Sequence, residues 1–103
     1  MFIYNLTYQI EETIQDLWLD YIKENLVSPL LEHENFENAR LCKIDPVKGI
    51  EGIGYSIQFT CKKETLEKFL QEKETFYRSK IYQKFQGKLV DFSTTLEIIE
   101  DFK

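Results

Sequence analysis

The sequence is poor in the residues from which catalytic and metal centres are usually built. It holds one histidine, His33, and two cysteines, Cys42 and Cys61, with no Cys-x-x-Cys pair. A structural zinc site needs a set of closely spaced Cys and His ligands, so no metal site is expected. Cys42 and Cys61 fall in separate predicted strands and on opposite parities. A disulfide needs converging Cβ vectors, so the two thiols are expected to stay apart. Basic charge is also scarce, with 13 Lys and Arg against 18 Asp and Glu and a net charge of −5. Unselective binding to nucleic acid or to an anionic membrane needs a basic footprint, and neither partner is expected. Long apolar runs are missing too. The opening MFIYNLTYQI has no basic n-region and interrupts its apolar residues with Asn5, Thr7 and Gln9. It reads as neither a signal peptide nor a membrane span, and the expected setting is cytoplasmic.

What the chain does have is hydrophobic mass. Its 103 residues are 43% hydrophobic and include eight Phe and six Tyr, the composition of a folded globule. That length suits one domain over residues 1–103, with a core but little surplus. Residues 2–10 alternate as a strand, with Phe2, Tyr4, Leu6, Tyr8 and Ile10 on one face. From Glu11 the period changes: Ile14, Leu17, Trp18, Tyr21, Ile22 and Leu26 follow helical spacing. Ser28-Pro29 interrupts that stripe, and Ser as N-cap with Pro at the first helical position predicts a kink or a short second helix. Strands follow at 36–45 and 53–61, joined by the hairpin connection DPVKGIEGIG. A helix over 64–85 turns Leu66, Phe69, Leu70, Tyr77, Ile81 and Phe85 inward. The last strand, 87–99, places Val90, Phe92, Thr94 and Leu96 on its core face.

The two halves echo each other. YNLTYQ at Tyr4 matches YSIQFT at Tyr55, and Glu12-Thr13-Ile14 matches Glu64-Thr65-Leu66. A repeated β-α-β unit of this kind predicts an α+β, ferredoxin-like β-α-β-β-α-β plan: a four-stranded antiparallel sheet with both helices on one face. Right-handed crossovers put the helices on that same side. The other face is then bare. It should carry Asn5, Thr7, Gln9, Arg40, Ser56, Gln58, Thr60, Ser93 and Thr95, with Ile3, Cys42 and Ile44, and with Asp91 and Glu97 as acidic exceptions. Neutral polar groups cost less to bury than charges, which suits a partly desolvated interface. The alternative is an ordinary wet sheet surface that uses Thr for its strand propensity.

The segments IYNLTYQI, LWLDYI, ARLCKI, GYSIQF and FQGKLVDFSTTLE, in that order, resemble a bacterial domain-of-unknown-function family over essentially the whole chain. That family is similar to the dimeric α/β-barrel superfamily, in which two ferredoxin-like subunits join their sheets face to face. The resemblance implies a homodimer with Asn5, Thr7, Arg40, Ser56, Gln58, Thr60, Ser93 and Thr95 as its dimer or ligand face. It supplies no reaction. The superfamily includes cofactor-free monooxygenases and haem-degrading enzymes. In the haem-degrading relatives a first-strand Asn accompanies a Trp and a His on the second helix. Asn5 is suitably placed, but ETLEKFLQEKETFYRSKIYQKF contains neither Trp nor His.

The remaining candidates have plain structural readings. His33 follows Glu32 near a predicted helix C-terminus, where partial positive charge is favoured, so it reads as a surface residue and not as a base or ligand. KGIEGIG lies between two antiparallel strands, whereas phosphate cradles precede a helix N-terminus. Arg78, Lys80, Lys84 and Lys88 read as a solvated helix face. No nucleophile–base pair and no cofactor fingerprint is present, so the site has no assigned catalytic residue and no cofactor. Two functions stay open. One is a non-catalytic homodimeric module that holds a small ligand or protein partner. The other is a cofactor-independent monooxygenase-like or isomerase-like enzyme with a pocket between helices and sheet, using Asn5 and a tyrosine.

Overall fold

The computed structural model describes residues 1–103. Strand β1 (Phe2–Ile10) runs up the middle of one four-stranded sheet of order β2-β3-β1-β4, with β2 at Asn38–Lys43, β3 at Ile53–Cys61 and β4 at Leu89–Glu97. All three pairings are antiparallel. Between β1 and β2 come a 3₁₀ turn (Glu12–Ile14), helix α1 (Gln15–Ile22), a π-helical turn (Lys23–Val27) and helix α2 (Ser28–His33). Between β3 and β4 come α3 (Lys63–Glu72) and α4 (Glu74–Lys84). This is the ferredoxin-like arrangement that the repeat predicts.

Period-2 patterning decides which side of the sheet is filled. Tyr4, Leu6, Tyr8 and Ile10 of β1 pair with Phe59, Ile57, Tyr55 and Ile53 of β3. Directly opposed residues of an antiparallel pair point the same way, so both sets enter one core. The helices close it with Trp18, Ile22, Leu26, Leu30, Leu66, Phe69, Tyr77 and Ile81. Aromatic edges organise the centre: Phe69 meets Tyr4 and Phe36 at ring separations of 5.1 Å each, and Trp18 lies 4.9 Å from Tyr55. Such pairs contribute about 0.5–1.5 kcal/mol each beyond their burial.

The helices depart from the sequence reading in two places. The short helix expected after Ser28-Pro29 is present as α2, but Ser28 does not cap it. Its backbone is already helical and its hydroxyl makes no capping bond. The π-helical turn absorbs the interruption instead, because Pro29 offers no N–H and its ring crowds the carbonyl four residues back. The single helix expected over 64–85 is broken at Lys73, whose φ and ψ are −126° and −25°. The stripe assignments of Leu17 and Leu70 also fail, since both side chains are exposed.

The β2–β3 connection is shaped by Gly52, which has a φ of +86°. A Cβ added there would lie 2.5 Å from the Ile10 carbonyl oxygen, so only glycine fits. The Gln9 side-chain amide donates to the Glu51 carbonyl at 2.7 Å and fastens the loop to β1. No helix is long and apolar enough to cross a membrane.

Candidate functional site

Both faces of the sheet carry candidate chemistry, and the strand register assigns each residue to one of them. On the side away from the helices, β1 presents Ile3, Asn5, Thr7 and Gln9, opposite Thr60, Gln58, Ser56 and Gly54 of β3. Asn38, Arg40 and Cys42 of β2 continue this open face beside Thr60, Gln58 and Ser56. The expected placements of Asn5, Thr7, Arg40, Ser56, Gln58 and Thr60 on this face therefore agree with the register. Cys42 lies here too, whereas Cys61 is buried among the core residues, and both thiols are free.

Strand β4 is the correction. Leu6 is opposite Ser93, Tyr4 is opposite Thr95, Tyr8 is opposite Asp91 and Phe2 is opposite Glu97. Ser93, Thr95, Asp91 and Glu97 thus point to the helix side and do not belong to the open face. The open face receives Val90, Phe92, Thr94 and Leu96 in their place, opposite Gln9, Thr7, Asn5 and Ile3. The sequence reading took the apolar side of β4 for the core side. At this edge strand the chain's own core lies on the polar side. Phe92, expected in the core, is 59% exposed, Val90 is 67% exposed and Leu96 is 46% exposed.

The corrected open face has three bands. An apolar band runs along β4. A hydrogen-bonded trio occupies the middle: the Ser56 hydroxyl donates to Asn5 Oδ1 at 2.6 Å, and Asn5 Nδ2 donates to Thr7 Oγ1 at 3.1 Å. On the β2 side lie Arg40 and Gln58, directly opposed, whose side chains bond to nothing in the chain. With Asp91 and Glu97 reassigned, Arg40 is the one charged side chain that the paired strands place on this face.

The helix side holds a second polar cluster, which sequence reasoning missed. The break at Lys73 starts α4 at Glu74, whose Oε2 accepts the Tyr4 hydroxyl at 2.7 Å. Arg78 Nε donates to Asp91 Oδ2 at 2.9 Å, and Arg78 Nη1 reaches Glu74 at 3.5 Å and Ser93 Oγ at 3.3 Å. Arg78 is accordingly no solvated cation, although Lys80 does lie over the exposed Phe76 ring at 5.1 Å. The hydrogen bond to Asp91 raises the Arg78 pKa further. Burial, reinforced by Glu74, pushes the Tyr4 phenol far above its ordinary range. Tyr8 is raised as well, first by burial and then by the Asp91 charge. The Tyr8 hydroxyl and the Trp18 indole N–H are buried without a hydrogen-bond partner. A recess of about 350 Å³ adjoins the cluster, lined by Glu74, Thr75, Arg78, Ser79, Tyr82, Gln83 and Asp91. The only sequence signal for this cluster was the polar alternation of Asp91, Ser93 and Thr95, which was assigned to the wrong face.

Other candidates resolve simply. His33 ends α2 with an exposed side chain 3.8 Å from Glu32. No group of three or more His, Cys, Asp and Glu side chains is placed to hold a metal ion. Asn5 is on the open face, so a pocket between helices and sheet cannot use it.

Comparisons with known proteins agree with the fold. The family profile described as "Domain of unknown function (DUF4286)" matches residues 1–99. No curated protein matches the sequence. A dimeric ferredoxin-like protein from an uncultured marine organism superposes with a TM-score of 0.72 at 7% identity, covering 98% of this chain and 97% of its own. A second dimeric ferredoxin-like protein from an uncultured marine organism gives 0.70 at 15% identity, covering 100% and 99%. The haem degrader MhuD from Mycobacterium tuberculosis, solved with two haems in its active site, gives 0.63 at 10% identity and full coverage of both chains.

Proposed function

The chain belongs to the DUF4286 family, and from that premise we propose that it works as a homodimeric, cytoplasmic module whose two open sheet faces meet. The observation that carries this reading is the apolar band of Val90, Phe92 and Leu96 on a face whose paired strands carry a single charge, Arg40. A long edge strand with apolar residues turned to water invites association or aggregation, and covering it removes the hazard. The same architecture in the two dimeric marine proteins supports the reading. The polar bands beside β4 then line the space between the sheets and offer hydrogen bonds to a small ligand or a protein partner. Native mass spectrometry of the purified protein tests both parts. A two-chain species, with or without retained small molecules, supports the module, and a single-chain species at micromolar concentration rejects it.

A second reading is favoured by the cluster beneath α4. Glu74, Arg78 and Asp91 line a recess, and Glu74 also accepts the buried Tyr4 hydroxyl, an arrangement that suits a cofactor-independent enzyme. Here Arg78 would hold the substrate's negative charge. Haem is not the expected occupant, because Trp18 is committed to the core and His33 lies exposed at the end of α2. Titrating haem and following its absorbance checks this point, with no saturable spectral change expected. Turnover in the presence of reductant and oxygen would overturn it.

A further inference from the structure

The dimer reading leaves one charge unaccounted for. Arg40 stands on the open face, and no acidic side chain of β1, β2, β3 or β4 shares that face with it. A two-fold interface presents the same patch from both subunits, so the partner's face carries no acid either. Covering the face therefore brings up no carboxylate from either sheet to meet the guanidinium. An uncompensated charge in a partly desolvated region is costly, so Arg40 calls for an anion from outside the chain.

The surrounding donors point the same way. Ser56 donates to Asn5 and Asn5 donates to Thr7, so this trio is tied together within the chain. The side chains of Arg40 and Gln58, directly opposed across β2 and β3, bond to nothing in the chain. A guanidinium offers a planar fork of N–H donors and a carboxamide adds two more, which matches the two oxygens of a carboxylate. Their backbones sit in paired strands, so the donors are held on a rigid element and not on a loop.

We propose that the open face is a binding site for a small organic carboxylate, gripped by the Arg40 guanidinium and the Gln58 carboxamide. The proposal deepens the dimer reading and rests on it, because the partner's sheet is what excludes water from the ion pair.

Isothermal titration of the purified protein with benzoate and with its neutral isostere benzamide tests it. Benzoate should bind, and benzamide should bind at least about tenfold more weakly, since it lacks the charge. Arg40→Gln should lose benzoate affinity by a similar factor while sedimenting like the wild type. Arg40→Lys should be intermediate, because it keeps the charge but not the fork. Equal affinity for the two ligands, unchanged affinity in Arg40→Gln, or no benzoate binding by a dimeric wild type would each overturn the carboxylate site. A monomer that still binds benzoate through Arg40 would instead refute the dimer and keep the anion site.

Discussion

Strands β3 and β4 have similar alternation and opposite consequences. In β3 the apolar set of Tyr55, Ile57, Phe59 and Cys61 faces the helices, and the polar set of Ser56, Gln58 and Thr60 faces away. In β4 the apolar set of Val90, Phe92 and Leu96 faces away, and the polar set of Asp91, Ser93 and Thr95 faces the helix layer. The difference comes from what lies over each strand. β3 is an inner strand covered by a continuous hydrophobic layer. β4 is an edge strand, and what meets it from α4 is the Arg78 guanidinium. An alternating strand therefore shows that its two faces differ. It does not show which of them faces the chain's own core.

The largest expected effect sets these strands against each other. Phe59→Ala should cost about 3–5 kcal/mol in denaturant melts, because it empties a fully buried aromatic site. Phe92→Ala should leave that intrachain stability within about 1 kcal/mol once melts are compared under dissociating conditions, and should instead weaken association. Equal losses at both positions would erase the contrast.

Next comes the polar side of β4. Arg78→Met should destabilise by about 1–3 kcal/mol, since Asp91 and Glu74 lose their charged hydrogen-bond donor in a region with little water. A change within about 0.5 kcal/mol would mean that Arg78 behaves as an ordinary surface cation.

Much of this plan was legible in the chain, and the exceptions share a cause. The internal echo of YNLTYQ and YSIQFT sufficed for the fold because both strands are inner strands packed on the chain's own helices. The polar open-face positions on β1, β2 and β3 followed from the same parity. The register of β4 was not legible, because Val90, Phe92 and Leu96 look like core when only intrachain partners are considered. The Tyr4–Glu74–Arg78–Asp91 cluster was hidden by the break at Lys73, which neither Pro nor Gly announces. Glu74 and Arg78 read locally as an ordinary i, i+4 surface pair.

A smaller effect should appear in alkali. Burial, aided by the Glu37 charge, pushes the Cys61 thiol from 9.0 up to about 11. Burial and the hydrogen bond to Glu34 push the Tyr77 phenol from 10.0 up to about 12. Both groups hold their neutral form more tightly when folded. Their contribution is therefore complete below pH 9 and fades as the pH rises from 9 towards 12. Denaturation midpoints should be flat from neutral pH to about pH 9 and fall above it. A midpoint that rises there would contradict these assignments.

The central claim is that the outward face of β4 is covered by a second copy of the chain. Sedimentation velocity at micromolar concentration tests it most directly, comparing the wild type with Phe92→Asp and with Ser56→Arg. Because the interface is isologous, each introduced charge appears twice in a weakly screened region. The account predicts a wild-type particle of twice the 12.4 kDa chain mass and a shift towards monomer in both variants. A wild type that sediments as a single chain would contradict it.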